Sequence, residues 1–124
     1  MKDFNDLIVW QRNHAFTLRV YAATKSFPKG ELFGLTSQMR RSTSSAPTNI
    51  AEGCGRHGDV ELARFFQIAM GSASETEYQL RLAYDLGCLA DDAYSSLLDE
   101  LTQIKRMLNT FIQKLRPDRI SPKS

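Results

Sequence analysis

Between Tyr94 and Leu115, nine apolar residues (Tyr94, Leu97, Leu98, Leu101, Ile104, Leu108, Phe111, Ile112 and Leu115) recur at helical spacing. At about 100° per residue they fall on a single face. A helix of that length must bury such a face against partners of similar length, and the rest of the chain supplies three. Helices are expected over residues 7–25, 31–52, 60–89 and 92–115, with Asp91 or Asp92 starting the last. Asp6 and Asp59 are candidate N-caps. Phe27-Pro28-Lys29-Gly30 reads as a turn, Gly53 to Gly58 as a loop, and no strand-like alternation appears. The expected fold is all-α: one antiparallel, up-down-up-down four-helix bundle over residues 1–115, followed by a polar tail, 116–124, expected to be disordered.

The first helix carries two apolar stripes. Leu7, Ile8, Trp10, Ala15, Leu18, Tyr21 and Ala22 form the broader one, which is taken as the inner face, with His14 beside it as a hydrogen-bonded core histidine. Val9, Phe16, Val20 and Ala23 lie on the opposite side. A helix of a small bundle needs only one apolar face, so these four residues are expected to form an oligomer interface. In the second helix Leu32, Leu35, Met39, Ala46 and Ile50 point inward. Pro47 frees the Thr43 carbonyl and either kinks that helix or splits it in two. Leu62, Phe66, Ala69, Ala73, Leu80 and Ala83 line the third helix. Its run of small residues around Gly71 is expected to mark a close helix–helix approach.

The net charge of +2 hides a marked segregation. Residues 1–58 carry eight bases and four acids, 59–104 two bases and nine acids, and 105–124 six bases and one acid. A bundle of this topology gathers Lys2, Arg56, Arg64, Lys114 and Arg116 at one end, with Lys105 and Arg106 farther down, as a candidate nucleic-acid surface. No stretch approaches a membrane-spanning length, and two isolated cysteines, Cys54 and Cys88, fit a cytoplasmic protein.

Catalytic and cofactor motifs find little support. Gly53, Gly55 and Gly58 spell G-x-G-x-x-G, but a helix precedes them where a dinucleotide fingerprint needs a strand. Neither histidine follows a glutamate by three residues, so the di-iron pattern of bundles is missing. Cys54 near His57 has no orienting acid. No enzyme activity, metal, cofactor or small-molecule substrate is expected. Gln38, Arg41, Asn49, Glu52, Ser72 and Glu75 fall where the second and third helices meet. They are expected to form a buried polar network with at least one Arg–Glu contact.

Asp6-Leu7-Ile8-Val9-Trp10-Gln11, Phe27-Pro28, Gly34 to Arg41, Asn49-Ile50-Ala51-Glu52-Gly53 and Gly71-Ser72-Ala73-Ser74-Glu75 resemble one family, the four-helix proteins encoded in intervening sequences of bacterial 23S ribosomal RNA genes. The accessory variability determinant of diversity-generating retroelements is similar in fold. The resemblance implies a four-helix protomer, a homopentameric ring, and binding of nucleic acid or a nucleic-acid-handling protein. The alternative is a structural or protein-interaction bundle that binds no nucleic acid.

Overall fold

The computed structural model describes residues 3–115, and the expectation for the tail lies outside them. Four helices dominate: α1 (Ile8–Thr24), α2 (Ser37–Cys54), α3 (Asp59–Asp85) and α4 (Asp91–Leu115). Each packs on its sequence neighbour, and α1 closes the bundle against α4. Cross-links show the directions. Thr17 meets Thr43 and Thr24 meets Arg40; Ser42 meets Gln79 and Ser45 meets Ser72; Phe66 meets Phe111 and Glu77 meets Lys105. In each pair of helices one number rises as the other falls, so neighbours are antiparallel. No strand occurs among the described residues.

The inner faces of α2, α3 and α4 are those expected, with Met39, Ile50, Phe66, Leu80, Leu101, Ile104 and Leu108 almost inaccessible to solvent. In α1 the faces are exchanged. Val9, Phe16 and Val20 lie in the core at 3%, 1% and 0% exposure, while Ile8 and Leu18 are more than half exposed. Ala23 is partly buried against the same core. The four residues expected at an oligomer interface therefore hold the protomer together. The true inner stripe also contains Asn13, Thr17 and Thr24, each buried. The two threonines lose little by burial, because each hydroxyl donates to a carbonyl four residues back, Asn13 O and Val20 O, both at 2.9 Å. His14 is exposed and stacked on Trp10 with ring centroids 5.1 Å apart, so it is not a core histidine.

Pro47 does not split α2, which is continuous from Ser37 to Cys54. The proline lacks the N–H that would bond the Thr43 carbonyl. Thr17 supplies the replacement by sharing its one hydroxyl hydrogen between Asn13 O at 2.9 Å and Thr43 O at 3.1 Å. α2 begins later than expected. Leu32–Thr36 forms a wide, π-type turn interrupted at Gly34, and Leu32 is half exposed there rather than inward.

The helix ends differ from expectation at several caps. Leu7, not Asp6, occupies the N-cap of α1, and Asp6 belongs to a short 3₁₀ turn. Gly58, at φ +85°, precedes α3 in place of an Asp59 cap. α3 ends at Asp85 rather than 89, through Gly87 at φ +80°. Cys88 N donates to Ala83 O and Gly87 N to Tyr84 O, the paired bonds of a Schellman stop. The close approach of α2 and α3 is made at Gly53, where a Cβ would lie 2.9 Å from that of Phe65. Around the small-residue run, Ala69 and Ala73 are buried, but Gly71 faces open space and plays no part in the contact.

Candidate functional site

The exchange of faces on α1 leaves an apolar groove on the outside of the α1–α2 pair. Its volume is about 480 Å³, and Phe4, Trp10, Leu18, Tyr21, Pro47 and Ala51 are prominent in its lining. Phe4 meets Trp10 edge-on at 4.8 Å, which fixes the indole at one end. At the other end the Arg40 guanidinium lies 4.9 Å from the centre of the Tyr21 ring. Arg40 also donates to Thr24 Oγ1 at 2.9 Å and to the Tyr21 carbonyl at 3.3 Å, satisfying the C-terminal turn of α1. No carboxylate lines the groove among the described residues.

The polar contact between α2 and α3 exists but is arranged differently from the expected network. Arg41 does pair with Glu75, and Gln38 accepts from Arg41 at 3.2 Å, but these side chains are open to solvent. Glu52 is exposed too and bonds Arg56 on its own side of the bundle at 2.9 Å. Ser72 is half-buried and shares a 2.9 Å hydrogen bond with Ser45, to which Asn49 also bonds. The buried centre belongs to residues not foreseen. Ser42 Oγ lies 2.7 Å from Thr76 Oγ1 and 2.6 Å from Gln79 Oε1, with all three side chains buried. A long arginine on a helix flank extends to water more readily than a short serine, which explains the division. The most enclosed ion pair is elsewhere, between α1 and α4. Arg12 holds both oxygens of Glu100, at 3.0 and 2.7 Å, and this contact raises the guanidinium pKa further.

Three of the five described bases in the expected cluster, Arg56, Arg64 and Lys105, are paired with glutamates. The Arg56 and Arg64 guanidinium groups lie 4.9 and 4.5 Å from the centre of the Phe65 ring, and each is also paired with a glutamate, Glu52 or Glu61. The hydrogen bonds from Arg64 hold the Glu61 carboxyl below its usual pKa. Lys105 is taken by Glu77 at 2.7 Å. Arg106 and Lys114 have no acid partner among the described residues, and both border a second groove on α4. Lys2 and Arg116 lie outside the described residues.

The loop residues shape the α2–α3 connection. Gly53 is buried under α3, Gly58 supplies a positive φ, and Cys54 is a buried free thiol. Burial first, then the negative charge of Asp3, pushes the Cys54 pKa up, which disfavours the thiolate a nucleophile needs. Among the described residues no three His, Cys, Asp or Glu side chains are grouped to hold a metal ion, and no helix is long and apolar enough to cross a membrane.

Comparison with known proteins agrees with the fold. A crystal structure of a protein of unknown function from the S23 ribosomal protein family, from Bacteroides thetaiotaomicron VPI-5482, superimposes with a TM-score of 0.80. It is 25% identical, and the match covers 90% of this chain and 99% of that one. No curated protein matches in sequence. The family model described as 23S rRNA-intervening sequence protein matches residues 5–110, nearly the whole bundle. The chain belongs to the 23S rRNA-intervening sequence protein family.

Proposed function

We propose that this protein is a non-enzymatic scaffold that joins copies of itself through the outer α1–α2 groove and carries RNA or a nucleoprotein on its remaining basic surface. The observation that carries the reading is the groove itself. Large apolar side chains at its edge, Leu18 above all at 57% exposure, are costly to leave in water and are normal where another protein covers them. A second copy is the occupant favoured by charge. With the internal ion pairs set aside, α1 and α2 keep Arg19 and Arg40 and no acid, whereas α3 and α4 keep Asp59, Asp91, Asp92 and Asp99 against Arg106 and Lys114. Edges of opposite sign favour head-to-tail contact, and head-to-tail contacts close into rings when the rotation permits. Five copies is the number implied by the resemblance to the variability determinant. The two free thiols fit work in the cytosol.

RNA is the first polyanion to consider because the family is described by its link to 23S rRNA. The second reading, a protein-binding scaffold without nucleic acid, draws support from the pairing of Arg41, Arg56 and Arg64 with glutamates. Light scattering tests the assembly. The unmodified protein should run as a multiple of its 14.0 kDa chain, and Leu18→Asp should run as a single chain with unchanged helix content. A monomer at micromolar concentration for the unmodified protein refutes self-assembly.

A further inference from the structure

We infer that the groove on α4 bordered by Arg106, Thr110, Phe111 and Lys114 binds single-stranded nucleic acid, stacking a base on Phe111 and holding phosphates with the two basic side chains. The inference rests on the reading that the protein carries RNA, and it adds where the strand lies and which form is bound.

Four observations converge on it. The groove has a volume of about 500 Å³, within the range that accommodates a small ligand, and only Met107 joins the four residues above among its described lining. Phe111 is half-buried and braced from the core by Phe66, ring centroids 4.7 Å apart, so the platform is held in place before anything binds. Arg106 and Lys114 are separated by eight residues, about 12 Å along the helix at 1.5 Å per residue, and so flank the ring from both sides. Neither has an acid partner among the described residues. Glu77, which lines a pocket together with Arg106, is engaged by Lys105 at 2.7 Å, and Glu100 is held by Arg12 at 2.7 Å.

An apolar ring between two uncompensated bases suits a strand whose bases are free to leave the stack. Every base offers a π-face, and every phosphate offers a charge. A duplex keeps its bases inside and can use only the two charges. Exposed Thr110, midway between Arg106 and Lys114, adds a hydroxyl for a phosphate or sugar oxygen. The expected ligand is therefore a single-stranded segment, bound with little sequence preference.

Fluorescence anisotropy of the full chain with a labelled oligouridine and with an RNA duplex of equal length tests this at low and moderate salt. The single strand should bind more tightly, by about tenfold or more, because stacking is lost with the duplex. Arg106→Ala with Lys114→Ala should weaken single-strand binding at least about tenfold. It should also flatten the plot of log affinity against log salt by about 1.4, the share of two phosphates at 0.7 each. Phe111→Leu keeps an apolar contact with Phe66 and should lower affinity roughly tenfold while leaving that slope unchanged. Lys25→Ala with Lys29→Ala, at the far end, should bind like the unmodified protein. Single-strand binding that survives all the α4 substitutions, or a duplex bound equally well, overturns this site while the RNA reading stands. Failure of the unmodified protein to bind either probe overturns both.

Discussion

Replacing Ser42 by alanine should destabilise the bundle more than replacing Glu75, although Glu75 carries the charge. Ser42 Oγ is fully buried between Thr76 Oγ1 at 2.7 Å and Gln79 Oε1 at 2.6 Å, with Met39 O farther away at 3.3 Å. Thr76 has a second acceptor in Ser72 O at 3.0 Å, so its hydroxyl remains satisfied when Ser42 is gone. The Gln79 carbonyl oxygen has no such reserve, and a stranded buried acceptor costs about 1–3 kcal/mol. Alanine is the better helix former and returns a few tenths. Since only one oxygen atom is removed, little cavity forms. The net loss is about 1–2 kcal/mol, worth several degrees in Tm for a domain of this size. Glu75 is the weaker case, since its only tie to a buried group is a long 3.4 Å contact from the Gln79 amide. Its pair with Arg41 is exposed, with side-chain exposures of 42% and 56%, and such pairs contribute about 0.2–1 kcal/mol. Urea melts of Ser42→Ala, Thr76→Val and Glu75→Ala should rank Ser42→Ala as the most damaging. Protein concentration must be held fixed, since assembly would make apparent stability depend on it. A larger loss for Glu75→Ala, or a loss below about 0.3 kcal/mol for Ser42→Ala, refutes the placing of the buried polar centre at the hydroxyl cluster.

Two further outcomes follow from burial. Changing Phe16 and Val20 to aspartate should unfold the protomer, because two charges would enter the core of a domain stabilised by about 5–15 kcal/mol in all. A helical circular dichroism spectrum from that variant would contradict the placement of α1. For the thiols, Cys88 should react with a disulfide reagent in the folded protein before the buried Cys54 does. The fold raises the Cys54 pKa, so its contribution to stability is present below the unfolded value of about 8.5 and declines as pH rises above it. Equal labelling rates for both thiols at pH 8 would refute this.

α3 and α4 were legible in the sequence because each has one apolar stripe and a charged remainder. α1 was not, since apolar residues surround most of it and periodicity cannot choose between two stripes. The deciding residues, Asn13, Thr17 and Thr24, look polar and argue for the wrong side. Only the i−4 bonding of the two threonine hydroxyls makes their burial intelligible. Part of the expected basic cluster is neutralised for a reason that was readable. Glu52 stands four residues before Arg56 and Glu61 three before Arg64, the spacings at which helix neighbours pair. Charges counted by end thus overstated the field. The α1–α2 groove and the free bases on α4 needed the third dimension, because both depend on which side chains their neighbours leave unused.

The single hydroxyl of Thr17 beneath Pro47 also bears on how the chain rejects wrong arrangements. Apolar stripes are forgiving. Met39, Ala46 and Ile50 would find acceptable company if α1 slid along α2 by one turn, about 5.4 Å. The Thr43 carbonyl would not, because the Thr17 donor would move away from a buried oxygen that Pro47 cannot serve, at a cost of about 1–3 kcal/mol. The proline thus turns a continuous slope of nearly equivalent packings into a notch with one position. Competing compact states are raised while the native one is left where it was, widening the gap that makes a landscape funnel to one structure.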